Sequence, residues 1–162
     1  MSLLILSLGS NVNAIANIGY AIESLRQEFG DLALSTVYES KAVGFSGENF
    51  LNLVASVDCD VPLKEIVAYL KELENSLGRD RSQPKFSDRT IDIDILIYGR
   101  EKGEDCGLSL PRAEILENAF VLKPLSELHP DMHLPDSDRT YLKFWKQFDQ
   151  GSQKIWPTDI NF

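Results

Sequence analysis

Two aspartates, Asp92 and Asp94, stand two positions apart in the run Asp88-Arg89-Thr90-Ile91-Asp92-Ile93-Asp94-Ile95-Leu96-Ile97. The run alternates. Ile91, Ile93, Ile95 and Ile97 fall on one side of an extended strand, Asp92 and Asp94 on the other. A buried face accounts for the isoleucines but not for the acids. On one face of a strand the Cβ atoms of the two aspartates sit about 7 Å apart. Like charges so placed repel unless a cation lies between them. Mg²⁺ is the simplest cation for two hard oxygen ligands, and with few protein ligands it completes its shell with water and substrate phosphates. The bland alternative is an acidic pair on the wet face of a strand, which a D-x-D spacing alone does not exclude.

The neighbouring segment favours the metal. Arg79, Arg81, Lys85 and Arg89 place four cations in eleven positions of a chain whose net charge is −9. The segment Gly78 to Asp88 is too rich in Gly, Pro and Ser for a helix or a strand. Guanidinium forks grip phosphate oxygens in pairs, so a basic loop beside a metal-binding strand suits a polyphosphate. Alone, the loop reads as solvated charge. With so few apolar residues it is expected to close over bound nucleotide and exclude water. Neither G-x-x-x-x-G-K-[ST] nor G-x-G-x-x-G after a strand occurs, so if ATP binds it is held by side chains and metal and not by a glycine-rich cradle.

These residues need elements to hold them. Leu3 to Leu8 predicts a first strand. Ile15, Ile18, Ile22, Leu25 and Phe29 recur at helical steps, ended by Gly30. Leu32 to Ser40 predicts a second strand, Val43 to Asn49 a loop, and Phe50 to Asp58 a third strand with Phe50 and Asn52 on the face opposite Leu51, Leu53, Ala55 and Val57. Leu63, Ile66, Leu70, Leu73 and Leu77 mark a second helix, with Pro62 in its first turn and Gly78 as its stop. Short helices are expected over Arg112 to Asn118 and Phe120 to Leu128. The order β-α-β-β-α-β is the α+β, ferredoxin-like arrangement: an antiparallel sheet with helices on one face, here with a C-terminal extension. The helices would cover the isoleucines and leave Asp92, Asp94 and Asn52 for a ligand.

At 162 residues, 43% of them hydrophobic, the chain suits one domain spanning 1–162 with its own core. No apolar run is long enough to span a bilayer, and the apolar first strand lacks the basic lead of a signal peptide. Two cysteines without a C-x-x-C are expected to be reduced, in a cytoplasmic protein. The acidic balance argues against nucleic acid or an anionic membrane as partner. His129 and His133 stand four apart, but Pro130 between them predicts a turn and not a helical metal pair.

Several stretches together resemble the 6-hydroxymethyl-7,8-dihydropterin pyrophosphokinase family: Leu6-Ser7-Leu8-Gly9-Ser10-Asn11, Phe50-Leu51-Asn52, Glu74 to Arg81 with its G-R-x-R, Asp88 to Ile95 with its R-x-x-D-x-D, and Ala119-Phe120-Val121-Leu122. The match runs from about Leu3 to His133. The resemblance implies an enzyme of folate biosynthesis that transfers diphosphate from ATP to the hydroxymethyl group of a reduced pterin, leaving AMP. It implies a monomer whose partners are those two small molecules. Asp92 and Asp94 would hold two Mg²⁺ ions. Arg79, Arg81 and Arg89 would contact phosphates, with Arg79 and Arg89 supporting transfer. Lys71, Glu74, Ile95, Ser109 and Arg112 would complete the ATP site. Asn52 would hydrogen-bond the pterin, Phe50 and Phe120 would sandwich it, and Ser40, Val43 and Asp92 would lie at its edge.

The chain departs from the family's pattern after Leu110-Pro111. Arg112 stands where a His is usual, Asn118 where an Arg is usual, Gly107 where an Arg sometimes stands, and Phe86 where Trp is frequent. Two other readings follow from these departures and from the fold: a catalytically weakened paralogue that binds pterin or nucleotide, and a ferredoxin-like interaction domain whose acidic strand is surface.

Overall fold

The structure, a computed structural model, describes residues 1–78 and 88–162. Strand β1 (Ser2–Ser10), helix α1 (Ala14–Phe29), β2 (Ala33–Leu34), β3 (Tyr38–Ser40), β4 (Phe50–Cys59), α2 (Leu63–Ser76) and β5 (Asp92–Tyr98) follow one another. Then come α3 (Glu114–Glu117), α4 (Ala119–Leu128), α5 (Tyr141–Gln147) and β6 (Trp156–Pro157). The sheet runs β5-β1-β4-β3-β6, with β2 also on β4, and every pairing is antiparallel. This is the expected α+β, ferredoxin-like order.

The expected second strand is split, and Ser35 splits it. Its N–H donates to the Val54 carbonyl while its Oγ accepts from the Val54 N–H, both at 2.9 Å. The side chain thus takes a place that strand backbone would fill. The pairing resumes one residue out of step, from Leu34 opposite Ala55 to Tyr38 opposite Asn52.

The isoleucine face is covered as its periodicity required. Ile18, Ala21, Ile22 and Leu25 of α1 and Leu63, Ile66, Leu70 and Leu73 of α2 pack with Leu4, Leu6, Leu8, Leu53, Ile91, Ile93 and Ile95 of the sheet. Ile15, expected on the buried stripe, is 58% exposed; in the first turn of α1 its neighbour Ala14 packs against the core instead. Gly30 (φ +97) and Gly78 (φ +87) end the two helices in the left-handed region, where a Cβ is costly.

The strict alternation of the last strand fails at its end. Leu6 pairs with Ile95 but Ile5 pairs with Ile97, so Leu96 is an extra residue, a β-bulge. Ile97 therefore leaves the isoleucine face and joins Leu96 on the opposite one, while Tyr98 enters the first core. On that opposite face Ile5, Val54, Leu96 and Ile97 pack with Ile115, Val121, Leu122, Leu125 and Tyr141. The C-terminal extension thus supplies a second helical layer, on the far face of the sheet. Among the described residues no helix is long and apolar enough to cross a membrane.

Tyr141 is fully buried in this second core, and its hydroxyl has no hydrogen-bond partner among the described residues. An unsatisfied buried hydroxyl costs about 1–3 kcal/mol. Tyr141→Phe is therefore expected to raise stability by about 1 kcal/mol, measured by urea unfolding. Ile66→Ala, which opens a cavity between α2 and the sheet, is expected to lower stability by about 3 kcal/mol in the same measurement.

Candidate functional site

The register of β1 against its two neighbours builds the site. Gly9 lies opposite Asp92 on one side and Asn52 on the other, and Asn52 in turn lies opposite Tyr38. Directly opposed residues share a face, so Asp92, Gly9 and Asn52 form one row. Asp94, Ser7 and Val54 form the next. The second core begins at Val54, and the row of Gly9 lies beyond it. A Cβ at Gly9 would collide with the Asn52 amide, so that side chain, only 6% exposed, leans across the glycine toward the acidic strand.

Strand β5 is the edge of the sheet, and three of its backbone groups are taken by Glu74 and Arg112. Glu74, buried on α2, accepts the Ile93 N–H at 2.9 Å through Oε2. Arg112 donates from Nε to the Ile95 carbonyl at 3.3 Å and from its backbone N–H to Leu96 at 2.9 Å. Side chains that satisfy an edge in this way block pairing with another chain. The same guanidinium lies 3.7 Å from Asp94 and 3.5 Å from Glu114. The bulge at Leu96 gives Arg112 its backbone anchor, and so sets this cation beside the acidic pair.

Burial, then the neighbouring Asp92 carboxylate, push the Asp94 carboxyl up to about 6; Arg112 opposes them, and Glu74 and Glu114 add smaller pushes in the same direction as Asp92. A carboxyl whose charge is resisted by burial and by a like charge two residues away suits a divalent cation. Two carboxylates on one strand are an all-oxygen donor set of the kind Mg²⁺ takes. Among the described residues no group of three or more metal-capable side chains gathers, so water and phosphate would have to complete such a shell.

The expected site residues fall as follows. Asp92, Asp94, Arg112, Glu74 and Arg89 gather at β5, with Arg89 9% exposed at its entry. Lys71 is exposed on α2, and Ser109 is exposed just before Leu110. The Ile95 side chain points into the helix-side core, which leaves its backbone to the site, with the carbonyl on Arg112. Ser40 pairs with Phe50 at the end of β3, and Val43 is 71% exposed in the following loop. Phe50 meets Phe45 edge-on, with ring centroids 6.3 Å apart. Phe120 packs against the second core and forms no ring pair with Phe50. Arg79 and Arg81, with the expected closing loop and Phe86, lie outside the described residues.

One of the departures has a structural reason. Gly107 sits at φ +72, closing a turn with its N–H on the Glu104 carbonyl, where an arginine would be strained. Asn118 starts α4 with its backbone carbonyl, which accepts from Val121 and Leu122, and nothing in the structure explains its side chain. His129 ends α4 with Nε2 at 2.9 Å from Ser56 Oγ, and the chain turns there as Pro130 requires. Sequence reasoning gave no role to Gly9, Ser10, Asn11 or Asp88. The signal for the first three was the Gly-Ser-Asn that closes the first strand. Ser10 Oγ donates to the Thr90 carbonyl at 2.5 Å, and the Asn11 N–H donates to the Arg89 carbonyl at 3.0 Å.

The profile of the 7,8-dihydro-6-hydroxymethylpterin-pyrophosphokinase family matches residues 5–130. A 2-amino-4-hydroxy-6-hydroxymethyldihydropteridine pyrophosphokinase of Aquifex aeolicus (strain VF5) is 37% identical over 150 residues, covering 91% of this chain and 91% of the relative. The Synechocystis sp. enzyme of the same name is 29% identical over 92% of this chain and 80% of its own length. A Plasmodium falciparum HPPK-DHPS chain, solved with pterin and p-hydroxybenzoate, superposes with a TM-score of 0.67 at 15% identity. That likeness, which shows the fold, covers 90% of this chain and 43% of the Plasmodium chain. By profile and by relative alike, the chain belongs to the 7,8-dihydro-6-hydroxymethylpterin-pyrophosphokinase family.

Proposed function

We propose that this chain transfers a diphosphate group from ATP to the hydroxymethyl group of 6-hydroxymethyl-7,8-dihydropterin, giving AMP and the pterin diphosphate, a step of folate biosynthesis. One observation carries the reading. Asp92 and Asp94, with Arg112 against the second of them, share a sheet face with Asn52, two strands away across Gly9. A cation-binding strand and an amide that donates and accepts then flank a single groove floor. Chain 1–162 would act as one domain, a cytoplasmic monomer.

In this reading the pterin hydroxyl oxygen attacks the β-phosphorus, the bond from that phosphorus to the oxygen bridging it to the α-phosphorus breaks, AMP departs, and the hydroxyl proton is lost. Such transfers need positioning and charge neutralisation more than covalent help. Asp92 and Asp94 would hold two Mg²⁺ ions, which when bound neutralise the phosphates. Arg89 and Arg112 bring fixed cations to the same strand, with Arg79 and Arg81 as further phosphate contacts. Lys71, Glu74, Ser109 and the Ile95 backbone surround the nucleotide. Glu74 does so while its carboxylate holds the Ile93 N–H, which fixes the end of α2 against β5. Asn52 reads the polar edge of the pterin, and Phe50 and Phe120 offer it apolar faces. Ser40 and Val43 lie at its rim.

Formation of AMP from ATP only when the hydroxymethyl dihydropterin is present tests the activity; its absence in the folded protein would refute the reading. Asp92→Ala and Asp94→Ala are each expected to cost about 3–4 kcal/mol of transition-state stabilisation, read as a 10²–10³-fold slower single turnover. The raised Asp94 carboxyl gives a pH test of the metal-free protein. Its protonated form is the one the fold favours. The stability it lends is full below the ordinary carboxylate range, near pH 4, and is lost as pH rises through about 6. The stability difference between Asp94→Asn and the parent is therefore expected to shift in favour of the variant between pH 4 and 7, measured by thermal unfolding in EDTA.

A further inference from the structure

The side chain of Asn11 joins two segments that the proposed reaction must bring together. Asn11 is 2% exposed at the end of β1. Its Oδ1 accepts the Arg89 N–H at 2.7 Å. Its Nδ2 donates to the Asp88 carboxylate at 2.8 Å and to the Glu48 carbonyl at 3.2 Å. The backbone N–H of Arg89 only donates, and the other two partners only accept, so the amide orientation is fixed. Asp88 and Arg89 are the entry to the strand that carries Asp92 and Asp94. Glu48 belongs to the loop that carries Val43 and Phe45 and leads into Phe50. A second observation shows how closely the two segments approach. A Cβ at Gly47 would lie 2.6 Å from Asp88 Oδ1 and 2.6 Å from the Phe45 ring. Between them, Asn11, Val12, Asn13, Ser46, Glu48 and Asp88 wall a cleft.

We propose that Asn11 is a positioning residue that fixes the pterin-side loop against the metal-side strand, holding the loop through Glu48 and the strand through Asp88 and Arg89. The inference rests on the functional reading above and goes beyond it. The two halves of the amide have separable work. The bond to Glu48 sets the loop, and so the affinity for pterin. The bonds to Asp88 and Arg89 set the strand entry, and so the rate of transfer.

Asn11→Asp keeps the size of the side chain and its acceptor for the Arg89 N–H. It removes both donors and sets a carboxylate against Asp88. Adding Asp88→Asn restores a hydrogen bond between positions 11 and 88 with donor and acceptor exchanged, while the Glu48 carbonyl still faces an acceptor. Initial rates would be measured with MgATP and the hydroxymethyl dihydropterin, after thermal unfolding has shown each protein folded. In N11D the pterin KM is expected to rise about tenfold and kcat to fall about tenfold. In N11D/D88N kcat is expected to recover to within about threefold of the parent while the pterin KM stays raised. Because Asp88 is exposed, Asp88→Ala tests the strand half even if N11D does not fold: kcat falls and the pterin KM holds. Recovery of both constants together in the double variant would overturn the proposal, and so would unchanged constants in folded N11D or D88A. An inactive parent would instead overturn the functional reading, so the two failures are distinguishable.

Discussion

Strand β1 is hydrogen-bonded on both edges, and a slip of one residue against either neighbour would turn a site residue onto the face held by the helices. Side chains on a strand alternate with period two, so a slip exchanges faces for a whole strand. The leucines at 4, 6 and 8 pin the register, because they must meet α1 and α2. Once they do, Gly9 lies between Asp92 and Asn52, and the three share the opposite face. The floor of the site is thus a by-product of packing on its other side.

That floor also depends on what is missing from it. Gly9 has no side chain, so the Asn52 amide can lean over it. The apolar core of the C-terminal extension covers the same face as far as Val54, and beyond it Glu127 of α4 accepts from the Tyr38 hydroxyl at 2.6 Å. A larger residue at position 9, or a longer apolar run on the extension, would fill the groove with protein. The second core therefore stiffens the far end of the sheet and reaches the Ser7–Asp94 row only at Val54. Arg112 stands at the border, with its backbone tied to the bulge at Leu96 and its guanidinium beside Asp94. A cation held there by the fold offsets part of the repulsion that two neighbouring carboxylates would otherwise meet.

The helices, the sheet order and the acidic pair were legible in the chain, because each rests on a period that one segment carries by itself. Ile18, Ile22 and Leu25 had to share a stripe, and Ile91, Ile93 and Ile95 had to share a face. Where the reading erred, a contact with a distant segment had changed the local pattern. Ile97 continued the alternation in sequence, but the second core took it together with Leu96 through a bulge. The Leu32 to Ser40 run looked continuous until the Ser35 hydroxyl displaced backbone at Val54. Ile15 fitted the spacing of its helix, yet in the first turn it is Ala14 that meets the core and Ile15 that stays exposed.

The sequence by itself determined the stripe of Ile18, Ile22 and Leu25, the face of Ile91, Ile93 and Ile95, and that two acids would stand together on the face turned from the helices. Alternation and helical spacing are properties of single segments, so no partner is needed to read them. Only the tertiary structure decided that Asp92 and Asn52 flank one glycine, that Arg112 reaches Asp94, and that Asn11 joins Glu48 to Asp88. These are meetings of segments up to about eighty residues apart. Their geometry is set by strand register and by a bulge, and both are fixed only when all the strands pair at once.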